Sequence, residues 1–371
     1  MATHNSSQPA DSRVNDFPQN FFDKYRKSGA TRDGGKMQEC FRTFDTDRDG
    51  YLNTLEFDGL LSQLFSKRGK PYLLTDSQRT ELFNLVDSNK DGKIDSEEFK
   101  NCWHKWISQI LDPVTALIIV DVQNDFISGS LAIQEGELIV SPINNILDTY
   151  KFDLVVYTLD WHPHDHISFV ENVKKREIDP ASKVKAEHAK VQDEVIFRIP
   201  GYEEGRIQTV WPRHCVQNTE GAKLHKDLKL LNNALYINKG TDPDIDSYSA
   251  FWDNGKLRQT QLEAELRKRK VTDVYVCGLA IDICVRFTSL DSIAHGFRTI
   301  LIDNACKGVD QQSVEPSREQ IRKSGGLCID ICEMGDIYSL VDRRPEIGLH
   351  AARTALGGKK CDEIERRVIT Q

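Results

Sequence analysis

The sequence ALIIVDVQNDF, residues 116–126, indicates the fold of the larger part of this chain. It opens with an apolar run rich in β-branched residues, as expected for a strand that is buried on both faces of a sheet. Asp121 follows this run directly. Because open parallel sheets bind ligands beyond the carboxyl ends of their strands, a polar residue in that position is a candidate for chemistry.

Further short apolar runs follow at intervals, separated by longer amphipathic segments. They cover residues 154–158, 235–238, 274–277 and 299–302. This alternation predicts a parallel sheet covered by helices, which is a three-layer α/β fold. We assign residues 113–343 to this domain.

Three polar residues near the ends of these runs favour acyl transfer. They are Asp121, Lys239 in INKG, and Cys284 in CGLAIDICV. A thiol that attacks an amide must lose its proton, so a carboxylate base, a cation and a helix start that lowers the thiol pKa form a coherent set. Each residue also has a structural alternative, as a cap, a surface charge or a small buried side chain. Their joint position at strand ends favours the catalytic interpretation.

A second group of polar residues predicts a metal site. Asp160 and His162 are two apart in the extended segment DWHPHDHISF, so their side chains point to the same side. His214, in VWPRHC, completes an Asp/His/His set with open coordination positions, which suits a divalent transition metal. His166 either joins the ligands or supports them by a hydrogen bond. The alternative is that these histidines only form a polar loop.

Two acidic stretches upstream share one twelve-residue pattern, DTDRDGYLNTLE at 45–56 and DSNKDGKIDSEE at 87–98. They resemble the calcium loop of EF-hands, whose ligands alternate around a glycine at the sixth position. The predicted ligands are Asp45, Asp47, Asp49, Tyr51 through its carbonyl, Asn53 and Glu56, and then Asp87, Asn89, Asp91, Lys93 through its carbonyl, Asp95 and Glu98. Apolar residues with helical period flank both loops, so we predict an all-α EF-hand pair that binds Ca²⁺ over residues 31–112.

The remaining segments are predicted to be tails. Residues 1–30 are polar, and residues 344–371 mix small and charged residues without a firm period. Between the two domains, Pro113 ends the last helix with almost no linker before the first strand. Calcium could therefore regulate the second domain or only stabilise the first, and the sequence leaves both open.

Composition excludes several other classes. The formal net charge of -8 argues against a nucleic-acid partner, and no apolar run approaches the roughly 20 residues of a membrane helix. The N-terminus lacks a basic flank and an apolar stretch, so we expect a cytoplasmic location, with the nucleus as the alternative. The nine cysteines include no CxxC pair and are expected to be reduced thiols.

The quoted motifs, with DSYSAF at 246–251, resemble the nicotinamidases among the isochorismatase-like cysteine hydrolases over roughly residues 116–303. The resemblance implies hydrolysis of nicotinamide to nicotinate and ammonia through a cysteine thioester, in NAD salvage. It implies that the catalytic triad is Asp121, Lys239 and Cys284. It also implies that Asp160, His162 and His214 hold a divalent metal, usually zinc.

The resemblance extends to the substrate pocket. It implies that Phe126 and Trp211 enclose the pyridine ring, and that a cis peptide bond joins Ala280 and Ile281 beside the oxyanion hole. The segment 171–208 is long and charged, which predicts an insertion or a lid. Two alternatives remain: another amidohydrolase of the same superfamily, or a calcium sensor or scaffold with an inactive hydrolase domain. A homo-oligomer is also possible.

Overall fold

The computed structural model of the protein describes residues 21–25, 34–199, 202 and 204–357. These residues form two compact units. The helical unit comprises the described residues up to Pro113 together with residues 335–357, and the α/β unit comprises residues 114–334. Within the described ranges, every helix is too short or too polar to cross a lipid bilayer.

The helical unit contains two helix–loop–helix hairpins, and a π-helical turn at Trp103–Ile107 continues the last of them. Its helices are α1 (Gly34–Phe44), α2 (Thr54–Leu64), α3 (Asp76–Val86), α4 (Ser96–Cys102) and α5 (Ser108–Leu111), with a short hairpin of β1 (Ser66–Lys67) and β2 (Lys70–Pro71). Leu52 and Ile94 join the two loops by reciprocal backbone hydrogen bonds of 2.8 and 2.9 Å. The helical EF-hand arrangement predicted from the loops is confirmed.

Capping explains where the helices that leave the loops begin. Asn53 caps α2 by accepting from the N–H of Glu56, whose side chain accepts in return from the N–H of Asn53. Asp95 and Glu98 form the same reciprocal pair at the start of α4. Such capping boxes satisfy two otherwise unpaired backbone donors at a helix start. Each calcium loop therefore passes directly into a helix.

The α/β unit is built on a six-stranded parallel sheet with the order β10-β9-β8-β3-β4-β7. The strands of the unit are β3 (Thr115–Val120), β4 (Leu154–Asp160), the separate hairpin β5 (Glu194–Phe197) and β6 (Arg206–Thr209), then β7 (Leu235–Lys239), β8 (Asp273–Leu279), β9 (Arg298–Lys307) and β10 (Leu327–Ile329). Its helices are α6 (Asn124–Ile127), α7 (Val140–Thr149), α8 (Leu262–Lys268), α9 (Cys284–Ala294), α10 (Gln311–Lys323) and the first four residues of α11 (Ile331–Tyr338). The predicted parallel α/β fold is confirmed, with β10 as an additional edge strand.

The strand order brings the predicted site residues to one edge of the sheet. Asp121 follows β3, Asp160 ends β4, Lys239 ends β7, and Cys284 begins the helix after β8. These four strands are neighbours in the order β8-β3-β4-β7, and Asp160 pairs with Lys239 in the register of β4 and β7. A parallel sheet aligns all of its carboxyl ends, so side chains far apart in sequence converge there.

Both predicted tails contain ordered structure in the described residues. Phe21 and Phe22 lie in a short 3₁₀ helix and are buried against Phe44. Residues 335–357 belong to the helical unit, and they include helix α12 (Pro345–Leu356). The structure thus differs from the predicted boundaries because buried aromatic pairs and a proline-initiated helix contribute to the helical core. The predicted tail residues 1–20, 26–30 and 358–371 lie outside the described residues.

Candidate active site and metal centre

The three catalytic candidates meet in a buried cluster around the Lys239 ammonium. Its Nζ lies 2.9 Å from Asp121 Oδ2 and donates to Cys284 Sγ at 3.3 Å. It also donates to Asp160 Oδ1 at 2.5 Å and to the carbonyl of Ser247 at 3.0 Å. The Lys239 ammonium therefore contacts both other catalytic candidates and also Asp160, a candidate metal ligand.

The charge of this cluster is set by close contacts. Burial alone would lower the pKa of Lys239, but Asp121 and Asp160 hold that pKa well above its usual range. Burial alone would raise the pKa of Asp160, but Lys239 and His162 hold it well below its usual range. A charged lysine between two carboxylates, if both are ionised, leaves a net negative charge. A bound divalent cation would compensate that charge.

Asp121 is positioned by the strand next to it. Thr158 Oγ1, on β4, donates to Asp121 Oδ1 at 2.5 Å. The pKa of Asp121 is raised by burial, which outweighs the opposing effect of Lys239. Carboxylate oxygens of Asp121 and Asp160 lie within 4.8 Å of Cys284 Sγ. Asp121 is therefore close enough to exchange a proton with the thiol after small movements.

Cys284 is the first residue of α9, as its position after β8 predicted. This differs from the expectation of a lowered thiol pKa, because burial raises the pKa of Cys284 well above its usual range and outweighs the nearby Lys239. Burial penalises the charged thiolate more than one ammonium stabilises it. Formation of a thiolate at this position therefore requires a base.

Asp160, His162 and His214 converge as a candidate metal-binding set. The Nε2 atoms of His162 and His214 lie 3.4 and 3.7 Å from Asp160 Oδ2. Their Nδ1 atoms lie 2.9 Å from the Gly240 carbonyl and 2.7 Å from the Pro212 carbonyl. Because a carbonyl only accepts, each Nδ1 carries the proton and each Nε2 offers a lone pair. The set therefore fits a divalent transition metal.

His166 lies beside this set as a neutral imidazole. Burial, together with His162 and His214, lowers the pKa of His166 well below its usual range. Its Nδ1 lies 2.7 Å from Ser168 Oγ. Its Nε2 is buried, has no hydrogen-bond partner among the described residues and lies 3.9 Å from Asp246 Oδ1. His162, His166 and Asp246 thus form a second group with metal-ligand spacing.

A pocket opens over the thiol and the candidate metal ligands. Phe126, Trp211 and Ala280, the predicted substrate contacts, all line it. Sequence reasoning did not single out the other lining residues, which are Leu131, Ile133, Asp246, Tyr248, Ile283 and Val309. Asp246 and Tyr248 belong to DSYSAF, so the motif marked their region without assigning them a role. For the apolar lining residues, the sequence pattern does not distinguish a pocket wall from a hydrophobic core.

The segment 171–208 contributes support to this pocket. It contains β5 and most of β6, which pair as an antiparallel hairpin with a small apolar core of its own that includes Val195 and Phe197. Gln208, on β6, is buried and donates through Nε2 to Asp246 Oδ2 at 2.9 Å. This segment therefore holds a pocket-lining carboxylate.

The cis peptide bond joins Leu279 and Ala280, one residue before the predicted position between Ala280 and Ile281. The next bond, between Ala280 and Ile281, is trans. The Ala280 carbonyl accepts from the N–H groups of Ile283 and Val285, whereas the Ile281 N–H donates to the Lys307 carbonyl. A trans peptide points its carbonyl and its N–H in opposite directions.

Comparisons with known proteins agree with this architecture. The profile of the isochorismatase domain matches residues 115–333, and that of the EF-hand domain pair matches residues 36–103. The nicotinamidase of Escherichia coli (strain K12) is 38% identical over 203 residues, which covers 54% of this chain and 86% of that protein.

Two solved structures are also similar to the chain. A nicotinamidase from Acinetobacter baumanii shares 35% identity with a TM-score of 0.52, covering 60% of this chain and 98% of that one. The yeast nicotinamidase bound to the inhibitor nicotinaldehyde shares 27% identity with a TM-score of 0.52, covering 58% and 99%. A domain match over most of the α/β unit, together with these relatives, places the chain in the isochorismatase family.

Proposed function

We propose that the α/β unit hydrolyses nicotinamide to nicotinate and ammonia, through a thioester on Cys284, and that this reaction serves NAD salvage. The observation that carries the proposal is the buried cluster in which the Cys284 thiol, the Asp121 carboxylate and the Lys239 ammonium meet beside a metal-binding set. The nicotinamidases similar to this chain support the choice of substrate.

In the first half of the reaction, Asp121 takes the proton of Cys284 while sulfur attacks the carboxamide carbon. The raised pKa of Asp121, caused by burial, makes it a stronger base than an exposed aspartate. Lys239 keeps its charge and stabilises the thiolate as it forms, because it already contacts Sγ. Proton transfer and attack therefore use groups that are in place before substrate binds.

The negative charge on the carboxamide oxygen needs donors at the start of α9. Cys284 is the first residue of that helix, and the first N–H groups of a helix have no acceptor within it. We assign the backbone N–H of Cys284, together with that of Ala280, to the oxyanion hole. Ammonia leaves with the proton from Asp121, which then deprotonates the water that cleaves the thioester. Nicotinate is released and the Cys284 thiol is restored.

Asp160, His162 and His214 would hold zinc or another divalent transition metal, which supplies a Lewis acid for the pyridine nitrogen when bound. Phe126 and Trp211 line the same pocket and offer aromatic faces to the ring. These two aromatic side chains would orient the ring so that its carboxamide faces Cys284, which lines the same pocket.

We also propose that both loops of the helical unit bind Ca²⁺. Oxygens of Asp45, Asp47 and Glu56 lie within 4.8 Å of one another in the first loop. Asp45 Oδ1 and the equivalent Asp87 Oδ1 are buried without hydrogen-bond partners among the described residues. Buried, unpaired carboxylate oxygens are costly unless a cation is bound.

Ammonia release from nicotinamide by the purified protein tests the proposed activity. Turnover that requires Cys284 would support it. A protein that hydrolyses an N-carbamoyl amide but not nicotinamide would instead be another amidohydrolase, and one without any turnover would fit the scaffold alternative.

Replacing His214 by alanine is expected to lower kcat/KM by about 100-fold or more, because the metal loses one of three ligands. The matched control is His164→Ala, which removes an exposed histidine from the same sequence neighbourhood as the ligands. Elemental analysis should find one transition metal in the active wild type and in the control, and little in His214→Ala. Full activity in protein stripped of transition metal would contradict the assignment.

Replacing Thr158 by valine is expected to shift the acid side of the pH profile of kcat/KM to higher pH. Thr158 donates to Asp121 and lowers its pKa, so its loss raises the pH below which Asp121 is protonated and inactive as a base. Lys239, Cys284 and Asp160 also face this carboxylate, so the profile reports an apparent pKa of the group. Thr158→Ser should retain the wild-type profile, and an unshifted valine profile would argue against Asp121 as the base.

A further inference from the structure

The last ligand of each calcium loop lies at the start of the helix that leaves the loop. Glu56 is in the first turn of α2, and Glu98 is in the first turn of α4. In EF-hands that act as sensors, calcium changes the angle between the two helices of a hand. The far ends of these two outgoing helices are therefore where a calcium-driven movement is largest.

Arg343 holds the far end of the first outgoing helix. Its Nε donates to the Leu64 carbonyl at 2.7 Å, and its Nη2 donates to the Gln63 carbonyl at 2.9 Å and to Ser66 Oγ at 2.8 Å. Arg343 is buried. The last carbonyls of a helix receive no hydrogen bond from within the helix, and they carry partial negative charge. A buried guanidinium therefore supplies the missing donors and offsets this charge.

Helix α12 packs on the far end of the second outgoing helix. Trp106, in the π-helical turn after α4, donates through Nε1 to the Gly348 carbonyl at 2.9 Å. A methyl group at position 348 would overlap the ring of Phe65, which is fully buried. Leu349, Ala351 and Ala352 join the same core as the residues of the two hands. This is the arrangement in which an apolar helix face fills a groove.

The loops have a calcium-ready geometry while this helix is docked. Glu56 turns back into its own loop, where Oε1 accepts from the N–H of Thr46 at 2.7 Å and Oε2 accepts from the N–H of Asn53 at 3.1 Å. The carboxylate oxygens of Asp45, Asp47 and Glu56 are gathered within 4.8 Å. A segment that holds both outgoing helices in this arrangement therefore favours calcium binding.

We propose that residues 343–356 are an intramolecular ligand of the EF-hand pair, and that their docking and calcium binding strengthen each other. The inference rests on the calcium binding proposed above. By linkage, a segment that raises calcium affinity must itself be held more tightly when calcium is bound. The groove that other EF-hand pairs offer to target helices is filled here by the chain itself.

Replacing Gly348 by alanine tests this coupling in the chain with both of its units present. Alanine favours a helix more than glycine does, so any loss must come from the overlap with Phe65 and not from a weaker α12. Calcium titration followed by tryptophan fluorescence should give a Kd about tenfold weaker than in the wild type, within the usual range of coupling between sites. Glu346→Gln, an exposed change on the same helix, should leave the Kd unchanged.

Hydrogen exchange of the unmodified protein gives a second readout that needs no variant. Calcium should slow exchange of the amides in 345–356. The coupling would be overturned, with calcium binding left intact, by a Gly348→Ala variant that has wild-type calcium affinity. It would also be overturned if the amides of α12 exchanged at the same rate with and without calcium. A wild type that binds no calcium would overturn the calcium proposal itself and this inference with it. Ammonia release from nicotinamide tests the hydrolase proposal separately from all of these outcomes.

Discussion

Replacing Cys284 by alanine is expected to abolish nicotinamide hydrolysis, with a loss of roughly 10³-fold or more in kcat, as for other enzymes that lose their nucleophile. The change removes the only sulfur that contacts the Lys239 ammonium among the described residues. Asp121 would remain, but it would have no thiol to deprotonate. The fold should survive because a small side chain at a pocket wall is lost, and no hydrogen-bonded charge pair is broken.

Two measurements separate chemistry from binding in this variant. Calorimetry should show that Cys284→Ala still binds nicotinamide, and the melting temperature should stay close to that of the wild type. Cys332→Ala serves as the control, because that cysteine is exposed and should have no effect on turnover. Retention of more than a few per cent of wild-type kcat in Cys284→Ala would remove this residue from the nucleophile role.

Replacing Lys239 by methionine is expected to have the second largest effect, on both activity and stability. Methionine keeps most of the side-chain volume but leaves Asp121 and Asp160 without their shared cation. Removing one partner of a buried ionic group costs about 3–5 kcal/mol of unfolding free energy. The pKa of Asp121 should also rise further, because Lys239 is the main group that lowers it, so the base is protonated over a wider pH range.

Denaturant unfolding and the pH profile of kcat/KM measure the two effects of Lys239→Met. The matched control is Lys229→Met, which breaks a surface pair with Asp148 and should cost no more than about 1 kcal/mol. A Lys239→Met protein that is as stable as this control, with wild-type turnover, would show that the ammonium neither balances the two carboxylates nor assists the thiol.

The sequence was sufficient to predict the parts of the site that depend on topology. A run of β-branched residues followed by a polar one defines a strand end, and parallel strands bring their ends together. Asp121, Lys239 and Cys284 could therefore be grouped before any distance was known. The two calcium loops were predictable for a related reason, because the ion fixes which position supplies each ligand.

Properties that depend on packing were not predictable in the same way. The raised pKa of Cys284 follows from the depth of its burial, which no local pattern reports. Helix α12 was missed because its buried residues run consecutively from Ile347 to Ala352, with small side chains at Gly348, Ala351 and Ala352, and therefore show no clear helical period. The support that Gln208 gives to Asp246 joins residues 38 apart in sequence, one on the hairpin and one in a loop.

The most direct test of the account is acid quenching of the enzyme during nicotinamide turnover, followed by peptide mass spectrometry. A thioester intermediate predicts a nicotinoyl group on the peptide that contains Cys284, absent without substrate and absent in Cys284→Ala. Lys239 and Asp121 variants should accumulate less of it. Ammonia release without any acylated peptide, even at the shortest quench times, or acylation at a different residue, would contradict the mechanism proposed for this site.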